Sequence, residues 1–345
     1  MQNSHFAFGG TFMYRKIGRA LMMNTLQKVP AYSILLGDRR ADLLFFDPRG
    51  IDWEKERVWG LLLKRGRWVK GYFAFPETIY NRCYPEPKDV LERLSTTIGS
   101  DQIFNHRTHF DKWEIFQILR KSAVGDYLPE TYQYGEDDLA ELLTRHRSLI
   151  LKPRLSHGGA GVIKVTLLSP NVLILMSQAG WPVPLWDAGF FIPLLTDIAP
   201  PSRFIAQEYL ESATQGSDKF DIRILMQKNG AGTWEVGGQL SRVGDASNLL
   251  TNHYHTILAP SELVSADLLS TLQSLSQVVA ETLDGTFAVL GELGVDFLVD
   301  EEGKPWILEV NGKPDKSLFS QLHDEKMLRR VYLNPLDYQR HLLHW

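Results

Sequence analysis

The chain has 345 residues, 44% of them hydrophobic, enough for two or three packed units around substantial cores. A formal net charge of −4 gives no electrostatic case for nucleic acid as the main partner, and no run approaches the roughly 18 consecutive apolar residues of a membrane span. A single cysteine excludes an intramolecular disulfide and fits a reducing cytoplasm, and the start of the chain, with Asn3, Ser4 and His5 before scattered apolar positions, lacks the pattern of a signal peptide.

Residues 1–104 mix short strands with aromatic turns. The apolar run Phe73 to Ile79 ends in Tyr80, Asn81 and Arg82, so Arg82 stands at a strand's exit. A guanidinium there suits a bidentate grip on a substrate carboxylate; the alternative is a surface salt bridge with Glu77 or Glu86. Cys83 follows, and with no base identified beside it, it reads as an ordinary structural or surface cysteine and not as a substrate-side thiol. Residues 82–88 form a linker or exposed loop.

Residues 105–205 make a second unit. Asp111 can cap a helix from Lys112 to Lys121, with Glu114 completing a capping box and Trp113, Phe116 and Leu119 forming a buried stripe. Lys112 in the first turn opposes the helix dipole by a few tenths of a kcal/mol, which marks it as a candidate phosphate ligand or simply an exposed lysine. Residues 148–153 read as a short buried strand ending near Lys152. The loop beyond holds Ser156, Gly158, Gly159 and Gly161, and a second strand follows. Glycines at this density let backbone N–H groups approach an anion. Because the loop joins two strands, it is neither a Walker loop nor a dinucleotide fingerprint; it reads as a hairpin flap over phosphates, with Lys152 beneath. The stretch from Trp181 to Trp186, with its two prolines, reads as a packing loop.

In residues 206–345 the chain turns to polar chemistry. Phe204 to Leu210 is an extended apolar run entering a polar stretch, suited to presenting backbone groups to an adenine edge. Phe220 to Met226 alternates, placing Asp221 and Arg223 opposite Ile222 and Ile224. A further strand, Trp234 to Arg242, ends in arginine, and Asn252 follows a loop with Gly244, Asp245 and Ser247. Arginines on such strands can neutralise a transferring phosphoryl group, or serve as surface ion-pair partners. His253 and His255 beside that turn read as structural. A helix from Ser265 to Leu283 carries Leu268, Leu272, Leu275 and Val279 at core spacing.

The last pair of strands is the most informative. Leu293 to Val299 alternates, with Val295, Phe297 and Val299 on one face and Asp296 on the other. With Glu302-Gly303 as a two-residue turn, Asp296 lies opposite Glu309. Carboxylates so placed repel each other, and a divalent cation between them reverses the sign. Asn311, on the same face as Glu309, adds a neutral oxygen, so the three suit Mg²⁺, which keeps water and phosphate in its remaining positions. A solvated polar face is the alternative.

Taken in order, these stretches resemble the ATP-grasp superfamily, and within it the YheC/YheD branch of endospore coat-associated proteins. The matching segments are 46–53, 76–82, Lys152-Pro153 with the glycine loop, 220–223, 241–244, 291–296 and 309–311. The resemblance implies an α/β (α+β) architecture: an N-terminal α/β domain (1–104) on the substrate side and two α+β subdomains (105–205 and 206–345) gripping ATP. It implies that Lys112 and Lys152 hold the nucleotide phosphates under Ser156 and the glycines, and that Gln207, Glu208, Tyr209 and Leu210 form the adenine hinge. Asp221 and Asn252 would contact the nucleotide, Arg242 with Arg223 and Lys152 would serve phosphoryl transfer, and Asp296, Glu309 and Asn311 would ligate Mg²⁺. Glu77 replaces the usual aspartate, Ala160 a common basic residue, and Gly312 and Asp315 alter the stretch after Asn311; none of these removes a metal or phosphate ligand. The implied activity is an ATP-dependent ligase joining a carboxylate to an amine, with amino acids or peptides as substrates. A phosphotransferase, or an ATP-binding structural protein of the spore coat, are the alternatives.

Overall fold

Three six-stranded sheets follow one another along the chain. The computed structural model describes residues 17–36, 42–177, 182–249, 254–287 and 289–343. In the first sheet the strand Arg19–Met22 lies parallel to Leu43–Asp52 on one side and Thr78–Asn81 on the other. Ile103–Phe104 extends one edge in parallel, and the hairpin Arg57–Lys64/Arg67–Ala74 extends the other in antiparallel. The central strands are buried along their length, as a parallel sheet covered on both faces requires. Leu91 and Leu94 of the helix Lys88–Ile98 cover one face, against Met22, Phe46, Ile79 and Ile103. Against the other face, Tyr32, Phe45, Tyr80 and Phe104 share a core with Leu225, Leu240, Phe319, Tyr332 and Tyr338 from beyond residue 206.

The second sheet is antiparallel throughout, ordered Val183–Trp186, Val172–Ser177, Ile163–Ser169, Ser148–Pro153, Phe204–Glu208, Thr131–Tyr132. Leu149, Leu151, Val165 and Ala206 pack under the helices Glu136–His146 and Ala188–Ile198, with Leu143 and Leu195. The period-two alternation then turns Lys152, Ile205 and Gln207 to the opposite face. In the third sheet Asp218–Lys228 lies between Trp234–Asp245 and Glu292–Val299, and Pro305–Asn311 closes one edge. Ile222, Ile224, Val295 and Phe297 bury against the helix Ala266–Asp284, so Asp221, Arg223 and Asp296 face the other way. Ser265 caps that helix, and Leu272, Leu275, Val279 and Leu283 are its buried stripe.

Several sequence expectations are adjusted. The helix after Asp111 is Lys112–Leu119, and it buries Ile115 and Leu119 in the third sheet's core. Trp113 and Phe116 are only half-buried and stack on each other at 5.6 Å, so the buried stripe follows the i, i+4 row. Asp111 caps Trp113 N and Glu114 N, but the Glu114 carboxylate turns to Arg107, so the capping box is not reciprocal. The boundary expected at 205/206 falls inside the strand Phe204–Glu208, which pairs along its length with Ser148–Pro153. The second sheet is therefore an excursion from Thr131 to Glu208, while the Lys112 helix belongs with the third sheet. The stretch expected to be a packing loop contains the edge strand Val183–Trp186, with Val183 and Trp186 exposed; Trp181 lies outside the described residues. Among the described residues, no helix is long and apolar enough to cross a membrane.

Candidate active site

Asp296 does lie opposite Glu309, but by a different route from the expected turn. The connection spans Glu301, Glu302 and Gly303, closed by Asp300 N–H to the Lys304 carbonyl, and Gly303 adopts φ +81°. That alone would shift the pairing by one residue. Pairing then moves by one between Asp296 and Phe297, leaving Leu308 as an extra residue in its strand, and the shift is undone.

The carboxylates are not left to repel each other. Arg223 bonds Asp296 through Nε and Nη2, both at 2.7 Å, and Arg242 reaches Asp296 Oδ2 at 3.2 Å. Arg242 also holds both oxygens of Asp221, at 2.8 and 2.7 Å. Asn311 Nδ2 donates to Asp296 at 3.0 Å. Burial by itself would raise the Asp296 pKa; the two guanidinium groups overcome it and hold the carboxyl at about 2. Glu309 pairs with Lys112 Nζ at 3.1 Å. The protein's own cations thus do what the sequence pattern alone assigns to a metal.

The second sheet supplies the facing wall. Lys112 Nζ also donates to the Ser156 carbonyl at 2.9 Å and lies 3.2 Å from its Oγ, tying the flap to the first turn of the helix. Arg154, at the flap's base, clasps Asp111 at 2.7 to 3.2 Å. Lys152 Nζ donates to Gln207 Oε1 at 2.5 Å, and Gln207 Nε2 to Thr131 Oγ1 at 2.9 Å. Burial, reinforced by the Lys112 charge and opposed by Glu309, brings the Lys152 pKa down to about 8. Gly158, Gly159 and Gly161 all have φ between +60° and +76°, which favours glycine.

Eleven of the expected site residues line one cleft of about 120 Å³: Lys112, Lys152, Ser156, Gly158, Gly159, Asp221, Arg223, Arg242, Asp296, Glu309 and Asn311. On one side it adjoins an apolar recess walled by Phe116, Ile205, Leu308 and Val310, into which Gln207 projects. Thr131 and Leu308, unmarked by any sequence motif, belong to this recess. Of the expected hinge, Glu208 gives its N–H to the Glu130 carbonyl and Tyr209 to the Ser148 carbonyl, at 2.9 and 3.2 Å. The Glu208 carboxylate in turn accepts Glu130 N–H at 2.8 Å, so entry to and exit from the second sheet are bonded side by side. Glu208, Tyr209 and Leu210 do not line the recess. Gly161 packs against Pro153 outside the cleft lining. Asn252 and His253 lie outside the described residues, and exposed His255 pairs with Asp218 at 2.9 Å.

On its other side the cleft opens into a larger cavity of about 440 Å³ reached by Arg82. Arg82 makes neither salt bridge expected of it. Its guanidinium is held by buried Glu292 at 2.5 Å, by Tyr80 Oη at 2.8 Å and by the Pro314 carbonyl at 2.9 Å. Glu292 also takes Lys316 Nζ at 2.5 Å. Burial would raise the Glu292 pKa, but Lys316 and Arg82 hold it below the usual range. Cys83 is buried, and burial pushes its thiol up to about 12, as befits a structural cysteine.

Two antiparallel lobes closing on a polar cleft, with a mixed sheet alongside, define the ATP-grasp fold. The structure superposes on D-alanyl-alanine synthetase A from Vibrio cholerae with a TM-score of 0.57 at 11% identity, over 96% of this chain and 100% of that one. Against carboxyaminoimidazole ribonucleotide synthase from Aspergillus clavatus, complexed with ATP, the TM-score is 0.55 at 13% identity, over 87% and 71%. The family described as YheC/D like ATP-grasp matches residues 100–342, and the chain belongs to it. Among curated relatives, the endospore coat-associated proteins YheC and YheD of Bacillus subtilis (strain 168) are each 26% identical. The matches cover 78% of this chain and 78% of YheC, and 80% of this chain and 65% of YheD.

Proposed function

We propose that the protein is an ATP-dependent carboxylate–amine ligase working through an acylphosphate, with ADP and phosphate released. The observation that carries this reading is the order of the three spaces: apolar recess, cationic cleft and larger cavity share Glu309 as a common wall. An adenine fits the first by its chemistry, phosphates the second, and an acid the third. Lys112, Lys152 and the flap N–H groups hold phosphate oxygens, and Arg223 and Arg242 answer the charge of the transferring group. Asp296, Glu309 and Asn311 would hold Mg²⁺ through side-chain oxygens, those of the two carboxylates being bonded here by Arg223, Arg242 and Lys112, and the ion when bound would neutralise phosphate charge.

In this mechanism a carboxylate oxygen bonds to the γ-phosphorus as the bond to the ADP oxygen breaks. An amine nitrogen then bonds to the acyl carbon, the single bond from that carbon to the phosphoryl oxygen breaks with its electron pair leaving on phosphate, and the amine proton passes to solvent. The flap excludes water from the acylphosphate. Incubation with ATP, Mg²⁺, hydroxylamine and pools of amino and other carboxylic acids tests this: acid-dependent ADP and a hydroxamate are expected. A phosphoester product would make the protein a phosphotransferase, and failure to bind ATP would favour a structural role. The names of the YheC and YheD relatives extend the proposal to a place at the spore, which a fluorescent fusion followed through sporulation would check.

A further inference from the structure

The larger cavity shares Ser156, Glu309 and Asn311 with the phosphate cleft. A molecule filling it therefore has one end where a transferred phosphoryl group must lie. Away from those shared residues the wall includes Arg82, Lys313 and Asp315. Behind this wall Glu292 is one carboxylate answering two cations, half-buried Arg82 and buried Lys316, each at 2.5 Å. Lys313 is half-buried, and among the described residues no carboxylate lies within salt-bridge distance of it. Asp315, the acid closest in sequence, is exposed, and its Oδ1 accepts from Ser317 N and Oγ at 2.9 and 2.8 Å. Glu309, the cavity's other acid, is taken by Lys112. Neither acid of this cavity is therefore paired with Lys313.

Partial burial of an unpaired ammonium is unfavourable unless something compensates it. The Arg82 guanidinium cannot meet a ligand freely, because Tyr80, Glu292 and the Pro314 carbonyl occupy it. By holding Pro314 it fixes the backbone beside Lys313.

Resting on the ligase reading above, we propose that the acid substrate carries a second anionic group, a carboxylate or a phosphate, bound by Lys313. Arg82 is then a positioning residue. An anion in this cavity meets a fixed ammonium in partly desolvated surroundings, where a charge-assisted hydrogen bond is strong. A neutral acid derivative leaves Lys313 unpaired.

The test is calorimetric titration of the full chain, loaded with Mg²⁺ and a non-hydrolysable ATP analogue. The probes are the dicarboxylates malonate through adipate, their monoamides, and the matching phosphonocarboxylates. The expected result is that at least one dianion binds about tenfold tighter than its monoamide. Lys313→Gln should erase that preference without changing affinity for the ATP analogue, and Lys313→Arg should retain it. The dianion series that binds identifies the group as carboxylate or phosphate. Absence of dianion binding, equal affinity for dianion and monoamide, or a preference that survives Lys313→Gln would overturn the assignment. If the wild-type protein fails to bind the ATP analogue, the ligase reading itself fails; if it binds the analogue without the preference, only the second anion is lost.

Discussion

Asp296 is the residue where structure most changes the expected behaviour of a variant. Paired carboxylates alone predict that removing one charge relieves repulsion, leaving Asp296→Asn no less stable than wild type without Mg²⁺. With Arg223 and Arg242 closed on it in a buried site, the sign reverses. Asp296→Asn should cost about 3–5 kcal/mol, because it strands buried guanidinium charge. Glu309→Gln, more exposed and facing a lysine that keeps its bonds to Ser156, should cost about 1 kcal/mol or less. Urea unfolding in the absence of Mg²⁺ measures both, and both variants should lose turnover. Lys152 yields a second expectation. Its pKa of about 8 lies below its ordinary 10.5, so between those values the unfolded chain holds a proton that the folded protein lacks. This group's contribution therefore makes stability rise with pH across that window. Binding a polyphosphate there should draw a proton onto Lys152, seen as a buffer-dependent calorimetric enthalpy that vanishes in Lys152→Met. Lys152→Ala should weaken binding of an ATP analogue more than Lys112→Ala, since Lys152 is held within a strand and Lys112 on a helix end; equal small losses would contradict this.

Among elements, the flap hairpin and the Asp296/Glu309 hairpin show what a sequence can carry. Alternation along residues 293–299 and the glycine-spaced loop are local signals, and both were legible. The facing of Asp296 and Glu309 was also legible, although the turn was longer than expected and the extra residue Leu308 cancelled the error. A bulge leaves little trace in one sequence, because it depends on which neighbour the strand must meet. The same limit hid Glu292 as the partner of Arg82: the two are 210 positions apart and meet only because two sheets share a core. Lys313 carried no motif of its own, and its significance lies in the carboxylate it lacks. At the flap, Gly161 has φ +76°, and an added Cβ would meet Pro153 Cγ at 2.9 Å, whereas one at Gly158, φ +60°, meets nothing within 4 Å. Gly161→Ala should therefore loosen the flap more than Gly158→Ala, by about 1–3 kcal/mol of local strain. Faster proteolysis across residues 155–161, with little change in global unfolding, is the expected readout.

At the scale of the whole molecule, the first sheet is joined to the third by a common core and by the buried cluster around Glu292. A fragment ending at residue 104 should fail to fold, since it would expose Tyr32, Phe45, Tyr80 and Phe104; circular dichroism and amide dispersion would show this. Glu292→Gln should cost about 3–5 kcal/mol by leaving Arg82 and Lys316 uncompensated, and denaturant unfolding would measure it. The second sheet is attached differently, through the paired crossings at Glu130 and Glu208 and through the Arg154–Asp111 and Lys112–Ser156 contacts at the flap. Pro153, where the flap begins, pairs with Phe204 at the far end of the strand whose near end is Glu208. Four residues at about 3.3 Å each separate them. The lobe is thus pinned at both ends of this strand, by the crossing beside Glu208 and by the Arg154–Asp111 clasp at the flap's base, which makes the strand a beam resting on two supports.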